Sequence, residues 1–283
     1  MDSFLPRSYL FVPGNRPDRF AKACASGADA VIIDLEDSVP PEEKDAARAS
    51  VDQWLSPDQP VLIRINDANS KWFRDDLVLC GKPGIAGIVL PKAETVESIL
   101  LLSEHAGASI PILPLIETAN GFWKTRELAL AYPVLRLIFG SLDFQLDLGM
   151  FAEEEELLYF RSQLVLVSSL TNIQSPVDGI TTSIDDPEPL HRDTLRAKRL
   201  GFGAKLCIHP KQVRLVNELL GTSVEEEAWA RRVVEAAAAA KGSAVAVDGK
   251  MVDRPVLARA EALLRRRVVD RKPENTAPGD SAT

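Results

Sequence analysis

The sequence predicts an α/β fold, a (β/α)8 TIM barrel with a small C-terminal helical and hairpin appendage. Three observations predict it. Eight short runs rich in Ile, Val and Leu recur along the chain, each bounded by Gly, Pro, Asn or Asp, as strands buried on both faces are. Segments with helical signals separate the runs. The length, 283 residues, suits eight such units plus an appendage.

In chain order the strand segments are SYLFVPG (8–14), AVIIDLE (30–36), VLIRIN (61–66), GIVLPK (87–92), ILPLIET (112–118), LRLIFGS (135–141), VDGITTS (177–183) and AKLCIHP (204–210). Between them, RPDRFAKACASG has Pro17 near its start and Gly27 just past its end. PPEEKDAARASVDQWL opens on prolines and acids, which suit a helix N-terminus. AETVESILLLSEHAG has helical periodicity and closes on Gly107. The competing architecture is an open doubly wound sheet, but no G-x-G-x-x-G follows the first strand. Residues 1–220 are expected to form the barrel. Residues 221–269 form the appendage: two helices flanking a hairpin turned at Asp248-Gly249, expected to pack on a neighbouring subunit. The polar, Pro-containing residues 270–283 read as a disordered tail.

Composition is ordinary for a water-soluble protein, 46% hydrophobic and 26% charged. A formal net charge of -8 argues against general affinity for nucleic acid or anionic membrane. Cys24, Cys80 and Cys207 are scattered and odd in number, so neither a disulfide framework nor a zinc site is expected. With no signal-peptide pattern and no apolar run of membrane-spanning length, a cytoplasmic location is expected.

Active sites of such barrels lie at the C-terminal ends of the strands, and here those ends carry the polar residues. Strand 5 ends in Glu117, and strand 6 leads to Asp143. Consecutive strands lie roughly 5 Å apart. Two carboxylates at that spacing repel unless a cation lies between them, and Mg2+ suits a site with two carboxylates and no Cys or His cage. Taken singly, Glu117 is explained as well by capping the next helix, and Asp143 by pairing with a strand-end arginine. Arg64 in VLIRIN shares a face with Leu62 and Asn66 by alternation. It is read either as a clamp for a substrate carboxylate or as the partner of Asp34 or Glu36, and one role can serve the other. In DLEDSV, three acids in four positions (Asp34, Glu36, Asp37) suit acid–base work or support of a metal, or solvation and helix capping. Lys92 ends strand 4, Asp185 and Asp186 follow strand 7, and His209 ends strand 8. His105 and His191 are expected at the surface, and the run Glu153–Glu156 as a solvated helix start.

Together RSYLFVPGNRPDRF, ADAVIIDLEDSVPPEEKDAAR, VLIRIN, GIVLPKAET, PLIETANG, LIFGSLDF, DGITTSIDDPEPL, GFGAKLCIHPKQV and DGKMVDRPVLARAEALL resemble the citrate lyase β-subunit family. That family lies within the HpcH/HpaI aldolase superfamily, beside malyl-CoA and citramalyl-CoA lyases. The matching segments run from Arg7 to beyond Leu263. The resemblance implies an Mg2+-dependent lyase that cleaves a 3-hydroxyacyl thioester to an acetyl or acyl thioester and a 2-oxo acid. Glu117 and Asp143 match the metal ligands, and Arg64 matches the arginine holding the oxo acid's carboxylate. Asp253 matches an aspartate that some of these lyases draw from a neighbouring subunit. Arg16, with Arg19 and Lys22, is a candidate for the phosphates of an acyl-CoA, and Asp37 and Lys92 complete the expected substrate-binding set. Either Glu36 or a water is the candidate base for the hydroxyl. The resemblance further implies a homotrimer or hexamer, an acyl-CoA or acyl-carrier thioester as substrate, and lyase-complex subunits as partners. A histidine near the second strand, used by a branch acting on free hydroxy-oxo acids, is absent. A thioester hydrolase and a non-catalytic subunit are the competing functions.

Overall fold

The computed structural model describes residues 5–151, 155–240 and 245–270, with side chains to residue 265. Backbone contacts divide the chain into two compact units, Pro6–Leu220 and a second from Gly221 onward. The first is a closed barrel of eight parallel strands in chain order. They are β1 (Ser8–Pro13), β2 (Ala30–Asp34), β3 (Val61–Arg64), β4 (Ile85–Leu90), β5 (Ile112–Ile116), β6 (Arg136–Phe139), β7 (Gln174–Asp178) and β8 (Ala204–Cys207).

Alternation along the strands produces two apolar layers. Tyr9, Ile32, Leu62, Leu113, Ile138 and Leu206 point inward and fill the barrel. Their neighbours Leu10, Ile33, Ile63, Ile112 and Leu137 pack outward beneath the helices. Both faces are therefore apolar, which is why these strands read as continuous runs. The same alternation puts Asp34, Arg64 and Glu117 above the inward layer, at the C-terminal end. At the other end Arg136 is fully buried. Its guanidinium donates to Ser175 O (2.8 Å), Pro6 O (3.0 Å) and Tyr9 Oη (3.2 Å), closing the floor.

Strand 7 departs from expectation. It occupies Gln174–Asp178 rather than 177–183. Its polar first half, Gln174-Ser175-Pro176, hides the strand from a hydrophobic pattern, while Arg136 uses the Ser175 carbonyl. The predicted half, Ile180–Ser183, is loop: the Gln212 amide holds Thr181 O and Ser183 O, and Thr181 Oγ1 donates to Asp193. Asp186 then caps the helix Pro187–Leu200, and Asp185 pairs with Lys211 on the surface.

The second unit has helices Val224–Ala240 and Arg254–Asp270 around a hairpin of β9 (Val245–Val247) and β10 (Lys250–Val252). Asp248 and Gly249 both have positive φ, 51° and 73°, as a two-residue hairpin turn of this kind requires. Ala230, Val233 and Ala260 form its core. Among the described residues no helix is long and apolar enough to cross a membrane. Of the expected acidic run, Glu155 and Glu156 are exposed, and 153 and 154 lie outside the described residues, as does the tail from 271.

Candidate active site

A cavity of about 490 Å³ opens at the C-terminal ends of the strands. Asp34, Asp37, Arg64, Glu117 and Asp143 all line it, so five of the residues singled out from sequence meet in one place.

Register explains the first pair. Asp34 lies opposite Arg64 on adjacent strands. Arg64 Nε and Nη2 donate to Asp34 Oδ1 (2.6 Å) and Oδ2 (2.7 Å), a bidentate fork that fixes the guanidinium plane. The Phe11 ring lies 4.7 Å from Arg64 Cζ and supports the other side. Nη1 is left, 3.1 Å from Glu36 Oε2 and 3.4 Å from Asp37 Oδ2. Both readings of Arg64 are therefore compatible: Asp34 orients it, and Nη1, shared between Glu36 and Asp37 at the cavity, is the group a substrate carboxylate would reach in place of Asp37. Burial works against the charge of Asp34, but Arg64 outweighs it and holds the Asp34 carboxyl below the usual range. Asn66 does not follow the alternation, because β3 ends at Arg64. Its side chain turns to Lys44 and Asp76.

Glu36 is buried and bridges two cations, Arg64 and the Lys92 ammonium (2.6 Å). Burial still pushes its pKa up. Lys92 reaches Glu117 as well: its backbone N–H donates to Glu117 Oε1 at 2.8 Å.

Glu117 is 2% exposed, and burial, then the charge of Glu36, push its carboxyl up to about 8. Thr118, not Glu117, caps the helix Ala119–Trp123. Gly140 makes room for Glu117, since a Cβ there would lie 2.6 Å from Glu117 Cβ and Oε2. Asp143 sits in the first turn of the helix Ser141–Leu148, half-buried. No hydrogen bond or ion pair to Asp143 is formed among the described residues, and no arginine takes it up. Both alternative explanations of the two carboxylates thus fail locally. Among the described residues no group of three or more His, Cys, Asp or Glu is placed to hold a metal ion. The pair therefore suits an ion that takes only one or two carboxylates and finds its remaining oxygens in substrate and water, as Mg2+ does.

Arg16 is not part of the cavity lining; its guanidinium is tied to Asp18 at 2.9 and 2.8 Å. Arg19 and Lys22 are exposed. Asp253 belongs to the second unit, where its exposed carboxylate accepts from Val256 N and caps the last helix. His209 accepts from Lys211 N through Nδ1 at the start of the helix Pro210–Leu220. Sequence reasoning missed Lys44 and Asp76 beneath the β2 and β3 loops. One signal was readable: a lysine in the first turn of a helix runs against the helix dipole.

Residues 7–210 match the family profile of HpcH/HpaI aldolase/citrate lyase. The chain belongs to that family. Among its relatives, a citrate lyase subunit beta-like protein of Deinococcus radiodurans is 38% identical, over 92% of this chain and 96% of the relative. A (3S)-malyl-CoA thioesterase of Cereibacter sphaeroides is 32% identical, over 91% and 95%. The crystal structure of CitE from Mycobacterium tuberculosis in complex with magnesium, acetoacetate and coenzyme A superposes with a TM-score of 0.81. It is 35% identical and covers 94% of this chain and 99% of that one. The family membership agrees with the barrel and with the resemblance read from the motifs.

Proposed function

We propose that the protein is an Mg2+-dependent carbon–carbon lyase. Its substrate is a 3-hydroxyacyl thioester of the malyl-, citramalyl- or citryl-CoA type, and its products are an acetyl or acyl thioester and a 2-oxo acid. One observation carries the reading: two carboxylates, Glu117 and Asp143, that neither cap a helix nor pair with an arginine share a cavity with Arg64, whose plane is fixed by Asp34. The magnesium and coenzyme A of the Mycobacterium tuberculosis relative support it.

Glu117 and Asp143 would hold the metal, whose positive charge favours ionisation of the substrate hydroxyl and attracts its carboxylate. Arg64 Nη1 binds the carboxylate that stays with the oxo acid. Asp37, whose side chain is 56% exposed, gives up its 3.4 Å contact to make room. Glu36, set between Arg64 and Lys92, accepts the hydroxyl proton. The O–H electrons form the new carbonyl, and the bond from that carbon to the thioester α-carbon breaks. Its electron pair becomes the thioester enolate, and a proton delivered to the α-carbon completes the acyl thioester. Asp253 fits that acid if a neighbouring subunit of a homo-oligomer supplies it. Arg16 is the candidate contact for the phosphates of coenzyme A. Cleavage in D2O tests the sequence of steps: one deuterium should enter the acetyl methyl group.

The thioesterase relative favours a second reading, in which water attacks the thioester carbonyl and releases free coenzyme A and the intact hydroxy acid. Hydrolysis leaves the carbon skeleton whole and puts no deuterium on carbon.

A further inference from the structure

The loop after β2 carries Glu36 and Asp37, and two buried side chains hold its backbone: Asp34 accepts from its N–H groups at Glu36 (2.9 Å) and Ser38 (3.1 Å), and Lys44 donates to its carbonyls. We propose that Lys44 is a positioning residue: it locks the Leu35–Glu36 backbone and the Asn66 side chain into one arrangement, and so aims Glu36 and Arg64 at the cavity. What is aimed rests on the lyase reading, but the aiming does not.

Lys44 opens the helix Lys44–Trp54, where the helix dipole disfavours a cation, yet it is only 6% exposed. Its ammonium donates to Leu35 O (2.7 Å), Glu36 O (2.7 Å) and Asn66 Oδ1 (2.6 Å). Those three bonds use all three of its protons. The Trp72 ring lies 5.1 Å from Nζ; burial pulls the Lys44 pKa down, and the charges of Asp34, Glu36, Asp76 and Asp37 offset only part of that. Asn66 is held in turn, because its N and Nδ2 both donate to Asp76 Oδ2 (2.8 and 2.7 Å). Arg48 Nε donates to the other oxygen of Asp76 at 2.9 Å. An unbroken set of buried polar bonds thus runs from the helices Lys44–Trp54 and Phe73–Cys80 to the loops after β2 and β3. Burying an ammonium without a carboxylate in direct contact is an expensive way to gain stability. It is an effective way to gather three acceptors at one point. A planar guanidinium cannot meet three acceptors in that geometry.

The test compares full-length wild type with Lys44→Met, Lys44→Arg, Asn66→Ala and the Lys44→Met/Asn66→Ala double variant, by crystallography and kinetics. In each variant Glu36 should leave its 3.1 Å contact with Arg64 and its 2.6 Å contact with Lys92. Turnover should fall about tenfold to a hundredfold, the usual cost of misplacing a reacting group by an ångström. Mn2+ affinity should stay at the wild-type value, because Glu117 follows β5 and Asp143 sits in the helix after β6, away from the bonds Lys44 makes. Lys44→Arg should not restore turnover, and the double variant should be no slower than Lys44→Met. If Lys44→Met does not fold, Asn66→Ala carries the test alone. Glu36 and Arg64 unmoved in a folded variant would overturn the proposal, as would losses that multiply in the double variant. If wild type cleaves no thioester, the lyase reading fails while the crystallographic comparison still decides the positioning.

Discussion

Lys92 meets Glu117 with two different groups: its backbone N–H donates to Oε1 at 2.8 Å, and its ammonium lies 4.0 Å from the same oxygen. To do this Lys92 takes φ of 45°, the left-handed region that a non-glycine residue occupies only under strain. Strain at a strand end beside two buried carboxylates marks a position where geometry outranks local stability.

Lys92→Gly separates the two contributions. It keeps the N–H and relieves the backbone, worth up to about 1 kcal/mol, but it takes one of its two cations from the buried Glu36, so thermal stability should hold or fall. The ammonium that neutralises Glu36 is lost, and kcat/KM should fall at least about tenfold, or ~1.4 kcal/mol. A variant as active as wild type would show that the ammonium has no part in the reaction.

Glu117 sets a pH dependence whose sign is definite. In the metal-free protein its carboxyl titrates at about 8, against an ordinary value of 4.5. Between those values the folded state binds more protons than the unfolded chain, so this group's contribution to stability is lost as pH rises through the window. The melting temperature in EDTA should therefore fall more steeply between pH 5 and about pH 8 for wild type than for Glu117→Gln. Excess Mg2+ should flatten the wild-type curve, because a bound cation favours the ionised carboxylate. Parallel curves in EDTA would count against a raised Glu117.

Gly140 tests the fit of Glu117 without touching a charge. Its φ of -86° suits alanine, so the effect of Gly140→Ala comes only from the Cβ, 2.6 Å from Glu117 Cβ and Oε2. Overpacking should cost about 1–3 kcal/mol in a denaturant melt. Mg2+ affinity, read by calorimetry, should drop about tenfold to a hundredfold. Unchanged affinity would mean that the position of Glu117 is immaterial to the metal.

Arg64 and Asp34 should behave as one unit. Arg64→Met strands Asp34, which is 2% exposed, and should destabilise the fold by about 3–5 kcal/mol. Adding Asp34→Asn removes the stranded charge and should recover part of that loss in urea melts, whereas simple additivity would deny the coupling.

The barrel was legible because every strand buries both faces, so each appears as an apolar run wherever its residues are apolar. β7 shows the limit: Gln174-Ser175-Pro176 is strand by virtue of its neighbours, and the run that looks like strand, Ile180–Ser183, is held as loop by Gln212. That Glu117 and Asp143 line one cavity was legible from strand-end placement alone. The Asp34–Arg64 fork was within reach once those strands were taken as neighbours. The bridge from Glu36 to Lys92 was not, since it depends on a positive φ that no residue type at 92 announces. The Lys44–Asn66–Asp76 set joins residues 10 to 22 positions apart through side-chain bonds, and periodicity carries no trace of it. Asp253 came from resemblance alone, because nothing in its local sequence marks it as more than a helix cap.

The most direct measurement is product analysis by mass spectrometry. Purified protein with Mg2+ is given malyl-CoA, citramalyl-CoA or citryl-CoA in turn. The expected result is acetyl-CoA and the matching 2-oxo acid in equal amounts from one of the three, lost in Glu117→Gln. Free coenzyme A with an intact hydroxy acid, or no product from any of them, would contradict a free-standing carbon–carbon lyase.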